Sequence, residues 1–261
     1  MRHRFRVLFL TFVCSFALAV PRAGAQGNTN NGEFSILFWS PAPELSLQSG
    51  DLEAATGIST IDFVREFAID NKTFPEIRFS AGRGHKFRFG YVPVKYEADA
   101  VIQRTITFRG QTFNIGAPAT TEIFWDVWRF GYEWDFVSLD RGYAGVVVEL
   151  KYNTLDASID SPALAQSAAT EQKALIPTIG FAGRGYPHPM VAISGEFTGL
   201  KVKAGDFDAS FYDFDINGTV TFGRYIGVQG GYRAVTVDYT QDDDVGDLKL
   251  KGPYIGAVVR F

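Results

Sequence analysis

The sequence predicts an all-β chain: an antiparallel up-and-down barrel of about ten strands, within a range of roughly eight to twelve. Three observations predict it. Apolar and polar residues alternate with period two in segment after segment. Short turns alternate along the chain with longer polar connections. The two ends read as an export signal and as a closing strand.

The export signal comes first. Arg2, Arg4 and Arg6 form a basic start, residues 7–20 (VLFLTFVCSFALAV) an apolar run, and Ala23-Gly24-Ala25 a small-residue cleavage site. The run is short for a membrane-spanning helix, and Pro21 and Arg22 close it. Residues 1–25 are therefore expected to be a cleaved signal peptide, and residues 26–261 one barrel domain starting at Gln26. Cys14, the single cysteine of the sequence, would leave with the signal, which removes disulfides, thiolate metal sites and cysteine nucleophiles.

Composition agrees with the strand reading. The 261 residues include 24 Phe, 11 Tyr, 4 Trp and 27 Gly, a mixture that favours strands, tight turns and membrane-interface residues. Setting aside Arg2, Arg4, Arg6 and Arg22 leaves 21 basic against 29 acidic residues, a net charge of −8 for residues 26–261. So acidic a chain argues against nucleic acid as a partner. No later apolar run reaches the roughly 18 residues of a membrane helix. An exported chain of this kind is soluble or a barrel.

Strand by strand, the alternation favours the barrel. In residues 211–222, Tyr212, Phe214, Ile216, Val220 and Phe222 oppose Asp213, Asp215, Asn217, Thr219 and Thr221. Residues 144–153 set Val146, Val148, Leu150 and Tyr152 against Glu149, Lys151 and Asn153. Ile77 and Phe79 oppose Glu76 and Arg78; Ile193 and Phe197 oppose Glu196; Val228 and Tyr232 oppose Gln229 and Arg233. Phe87, Phe89 and Tyr91 oppose Lys86 and Arg88 until Pro93, which is expected to disturb the register. Residues 124–136 are more mixed: Trp128, Phe130, Tyr132 and Trp134 share a face with Asp126, opposite Arg129, Glu133 and Asp135. Residues 33–40 and 175–183 complete the set more weakly. Trp125, Trp128, Tyr132, Trp134, Phe222 and Tyr225 are expected at the membrane interfaces.

The connections keep an odd–even rhythm. Turns are expected at 82–85, 138–142, 183–189 and 223–224, and longer polar segments at 41–73, 98–121 and 154–173, with shorter ones at 200–206 and 241–246. Short turns on one side and longer loops on the other are the layout of an outer-membrane barrel, which returns both termini to the periplasm. Within the first loop, residues 60–69 (TIDFVREFAI) suit a short helix that caps the mouth, folds inside it, or gives way to extra β-structure. Residues 104–114 read as a hairpin about Arg109-Gly110.

The last eleven residues, KGPYIGAVVRF, alternate Pro253, Ile255, Ala257, Val259 and Phe261 against Tyr254, Gly256, Val258 and Arg260. With this strand and the architecture before it, residues 26–261 resemble the small outer-membrane β-barrels of Gram-negative bacteria, the superfamily of OmpA-like and OmpW-like proteins. The resemblance implies residence in the cell outer membrane as a monomer, in contact with membrane lipid and lipopolysaccharide. It also implies that Phe261 is part of the signal read by the barrel-assembly machinery. About ten strands depart from the eight typical of those two families, so their specific roles do not carry over.

The polar faces, turned inward, form an expected lumen charge network. Its acids are Glu76, Glu133, Asp135, Glu149, Glu196, Asp213 and Asp215; its bases are Arg78, Lys86, Arg88, Arg129, Lys151, Arg233 and Arg260. Balanced charges in a narrow barrel pair with one another, whereas a selective pore carries an excess of one sign. Enzymatic residues are sparse. His85 and His188 fall in periplasmic turns, away from extracellular substrates, and Asp213 and Asp215 have basic neighbours to pair with. Asp242, Asp243, Asp244 and Asp247 make an acidic tip without the ligand spacing of a calcium loop. No cofactor, metal site or catalytic residue is expected. The sequence thus points to a structural or surface-interaction barrel with a narrow, charge-filled lumen, ahead of a narrow or gated solute channel and an outer-leaflet enzyme.

Overall fold

The computed structural model describes residues 31–48, 60–103, 105–108, 111–204, 207–241 and 244–261. The export signal, the Arg109-Gly110 turn, and Asp242 and Asp243 lie outside the described residues. In chain order the elements are β1 (Gly32–Trp39), β2 (Ala42–Gln48), β3 (Thr60–Asp62), α1 (Phe63–Phe67), β4 (Phe74–Arg83) and β5 (His85–Val101). There follow β6 (Ile106–Phe108), β7 (Gln111–Phe113), β8 (Pro118–Leu139), β9 (Gly142–Ser161) and β10 (Gln166–His188). The last four are β11 (Val191–Ala204), β12 (Phe207–Phe222), β13 (Ile226–Gln241) and β14 (Asp244–Arg260).

Ten strands close the barrel in the order β1-β4-β5-β8-β9-β10-β11-β12-β13-β14, each antiparallel to its neighbour, with β14 returning to β1. The closing register pairs Glu33 with Arg260 and Trp39 with Tyr254. Phe261 latches the seam: its carbonyl accepts from the N–H of Asn31 (2.7 Å) and of Gly32 (2.8 Å), and its own N–H donates to Gly32 O at 3.0 Å. Its ring stacks on Phe79 of β4 at 6.4 Å. Turns at the terminus-bearing end are tight. Gly82 has a φ of 127°, and a Cβ there would sit 2.0 Å from the His85 carbonyl, so only glycine fits.

Below, the outer surface is an apolar belt. Phe130, Trp134, Val148, Ile179, Phe181, Ile216, Val228 and Ile255 are all exposed, at 41% of their surface or more. In water such a belt would be costly. Around a closed barrel with no free strand edge it is a hydrocarbon-facing wall. Tyr91, Trp128 and Tyr152 mark its upper margin, with Tyr91 and Trp128 in ring contact at 4.2 Å, and Tyr91 O–H donates to Asp126 at 3.1 Å. This is a transmembrane barrel of the outer-membrane type.

Above that margin the strands continue. The expected 154–173 loop is instead strand, β9 and β10 pairing without interruption from Thr154↔Lys173 to Ser161↔Gln166. The expected 183–189 turn shortens likewise, because β10 runs to His188 with a register shift between Gly185 and His188. Pro93 does not disturb β5. It pairs with Asp126 in an unbroken register from His85↔Trp134 to Val101↔Pro118, and the shift on β8 lies between Asp135 and Val137.

The first long connection supplies both a helix and extra strands. β2 adds to the upper part of β14 and β3 adds to β2. α1 is capped by the Asp62 carboxylate, which accepts from Arg65 N–H at 3.1 Å, and ends at Ala68 in the left-handed region (φ 49°). It inserts Phe63 and Phe67 into the mouth, both buried, with Ile69 behind them. The β6–β7 hairpin adds buried Ile106 and Phe113 from the other loop. These five meet inward-facing Leu37, Trp39, Val92, Val94, Tyr96, Ile123, Trp125, Val127, Ile159, Val235 and Leu250 in one hydrophobic cluster. Trp125, expected at the membrane interface, is inside that cluster at 3% exposure, because it shares the parity of Ile123 and Val127.

Candidate functional site: the charged lumen

The lumen below the cluster is lined by the charged face of every barrel strand. At the periplasmic rim Glu33 of β1 accepts two bonds from Arg184 of β10, at 2.7 and 3.0 Å. β1 and β10 stand on opposite sides of the ten-stranded ring, so this pair braces the mouth across its diameter. Arg260 adds a 2.9 Å bond to the same carboxylate and donates to Thr221 Oγ1 at 3.1 Å. Beside them Lys86 lies 2.7 Å from Glu133 and 2.9 Å from Asp135, with its ammonium 3.2 Å from the centre of the Tyr143 ring. Arg88 reaches Glu133 at 3.2 Å and also pairs with Glu196 across the lumen.

One step higher the pairing becomes continuous. Arg129 donates to both oxygens of Glu149 (3.0 and 2.9 Å) and to Glu196 at 2.8 Å. Lys151, fully buried, lies 2.9 Å from Asp213 and from Thr198 Oγ1. Arg233 grips Asp213 through Nε and Nη2 (2.9 and 2.8 Å) and turns Nη1 to Glu76 at 2.9 Å. Arg78 chelates Glu76 (2.7 and 3.1 Å) and lies 2.9 Å from Asp215, which also accepts from Tyr254 and Asn217. Small residues make room for this layer: a Cβ on Gly131 would come within 2.8 Å of Glu149 Cγ.

All fourteen sequence-predicted lumen residues face inward; thirteen meet others of the set, and Arg260 meets Glu33. The sequence reading missed an eighth acid and an eighth base, Glu33 and Arg184. Both sat in segments of weak pattern, and Arg184 lay in the stretch taken for a turn. The signal was there: Glu33, Ser35, Leu37 and Trp39 share parity, as do Ala182, Arg184 and Tyr186.

Aromatic rings mark the boundary between charge and cluster. The Arg233 guanidinium lies 5.1 Å from the Trp39 ring centre, Lys151 Nζ 4.6 Å from that of Phe211, and Arg78 5.1 Å from that of Tyr254. Each ring offers its negative face to a cation and also belongs to the hydrophobic cluster. His85 and His188 stay at the periplasmic end. His85 pairs with Tyr132 O–H, and His188 Nδ1 accepts from Met190 N–H at 3.2 Å.

No protein-family model matches the sequence, and no curated protein matches it. Among solved structures it is similar to the outer membrane protease OmpT of Escherichia coli, at 9% identity and a TM-score of 0.56, over 88% of this chain and 97% of that one. That likeness is one of fold. Ail, the attachment invasion locus protein of Yersinia pestis, matches at 12% identity and a TM-score of 0.38 over 88% and 99% of the two chains. The Pseudomonas putida toluene transporter TodX matches at 9% and 0.34 over 88% of each. The closed barrel with its apolar belt is built to sit in a membrane, and its fold is that of an outer-membrane protein.

Proposed function

We propose that this outer-membrane barrel is a closed structural element of the envelope whose extracellular crest serves as an interaction surface, and that it neither conducts solutes nor catalyses a reaction. The observation that carries this reading is a lumen obstructed twice in series. Charge pairs span the lower half from wall to wall, through Arg233–Glu76, Arg78–Asp215 and Lys151–Asp213. The upper half is filled by α1, the β6–β7 hairpin and the apolar wall around them. An ion crossing would have to separate several buried pairs and then enter a largely apolar region, and each step is costly. Membrane lipid and lipopolysaccharide are the partners proposed along the belt, and the assembly machinery the partner of Phe261 during biogenesis. The barrel is proposed to act as a monomer.

The competing reading is a narrow or gated channel. The connection that carries α1 is anchored by the β2–β14 ladder, and α1 beyond it returns to the wall through the Ser40–Thr73 hydroxyl pair at 2.7 Å and Lys72 Nζ to Glu97 O at 3.3 Å. Displacing α1 alone, with that ladder intact, would open the mouth. Conductance of the refolded protein in a planar bilayer separates the two. The closed barrel gives no steady current, and a large, steady conductance would put solute passage first.

A further inference from the structure

The closed-lumen reading leaves one space unexplained. Between the periplasmic rim and the Arg129–Glu149 layer lies a cavity of about 120 Å3. Its wall carries five basic and five acidic side chains, so it favours neither sign of charge. It also carries Asn217 and Gln229, whose carbonyl oxygens are buried without a hydrogen-bond partner. Thr219, which pairs with Gln229 in the β12–β13 register, has an unpartnered hydroxyl, and Arg260 Nη2 on β14 an unpartnered donor. All four residues are at least nine-tenths buried.

Buried donors and acceptors left dry are destabilising, and natural interiors satisfy them with protein or water. Much of the inward face beside them carries no polar side chain: Val258, Gly227 and Gly231. A polar space of this volume holds several waters or one small solute that both donates and accepts. Its floor is the rim, where Glu33 and Arg184 cross. Its roof is the charge-paired Arg129–Glu149–Lys151–Asp213–Arg233 layer, with Val94 and Val235 above it.

We propose that the lower lumen is a blind vestibule, a site that takes water and small polar solutes from the periplasmic side and ends at the charged layer. The proposal rests on the closed-lumen reading, because a barrel open at both ends has no blind end.

Cysteine accessibility tests it in the full chain carrying Cys14→Ser. Single substitutions go into the vestibule wall (Ser35→Cys, Ser80→Cys) and above the roof (Val94→Cys, Val235→Cys). Two markers report the sides: Ile115→Cys, exposed at the extracellular crest, and Asp140→Cys, exposed in the β8–β9 turn. Refolded variants in lipid vesicles are treated from outside with small membrane-impermeant methanethiosulfonates, one anionic and one cationic. Heat-modifiable migration checks that each is folded. Labelling of Ser35→Cys and Ser80→Cys is expected to track that of Asp140→Cys, while Val94→Cys and Val235→Cys label only after unfolding. Vestibule cysteines that label with neither marker would overturn the vestibule and leave the closed lumen standing. Vestibule cysteines that label with both markers, or reaction of the folded Val94→Cys or Val235→Cys, would overturn both.

Discussion

The two halves of this lumen are built on opposite principles from the same strands. In β5, Lys86 and Arg88 point inward below, and Val92, Val94 and Tyr96 point inward above. The outward face changes in the opposite sense, from Phe87, Phe89 and Tyr91 to Lys95 and Glu97. β8 repeats this: Arg129 and Glu133 give way to Val127, Trp125 and Ile123 inside, and Trp128 and Phe130 give way to Asp126 and Glu122 outside. The register is unbroken through the change. What differs is the solvent outside. In hydrocarbon the apolar face must look outward and the polar face is left to pair within; in water the same ladder turns its apolar face to the core.

That difference predicts how each half fails. The largest effect is expected in the charged half. Arg129→Ala leaves Glu149 and Glu196 short of a partner in a confined interior and should lower unfolding stability by about 3–5 kcal/mol, read from urea titration in detergent or vesicles. A loss below 1 kcal/mol would mean that water already screens the layer.

Next comes the outer wall. Val148→Arg, on the lipid face of β9, should cost about 2–4 kcal/mol if it lies near the midplane. Little change in the same titration would place Val148 outside the hydrocarbon.

In the apolar half a single deleted methyl is felt through packing alone. Ile159→Val, fully buried in the upper cluster, should cost about 0.5–1.5 kcal/mol without altering the salt dependence of unfolding. A strong salt dependence there would merge the two halves into one electrostatic unit.

The smallest effect belongs to charges that have left both interiors. Lys95 lies 3.3 Å from Glu122 on the outer face above the belt, with both side chains nearly half exposed. Lys95→Ala should shift stability by less than about 1 kcal/mol, since such pairs are well screened. Comparing Arg129→Ala with Lys95→Ala in the same titration measures the contrast between lumen and surface directly.

Most of the barrel strands, their parity and fourteen charges of the lower network follow from the sequence alone; Glu33, Arg184 and the 154–173 strand extension do not. Alternation with period two is a local property, and charges that face hydrocarbon are excluded, so the polar face had one place to go. It also marked residues 60–69 as helix-prone and residues 104–114 as a hairpin. At the change of solvent, local pattern misleads. Pro93 looked like a disturbance and residues 124–136 looked mixed because their polarity inverts there while their register continues. Trp125 was assigned to the interface for its residue type, yet parity and the apolar filling of the upper lumen bring it inside. Only the tertiary structure decided which acid meets which base, since Glu33 and Arg184 are neighbours by barrel closure and not by sequence. Only it decided, too, that two loops turn inward to fill the mouth. Hydrophobic burial is non-directional, and the place where Phe63, Phe67 and Phe113 come to rest depends on the shape of the wall that receives them.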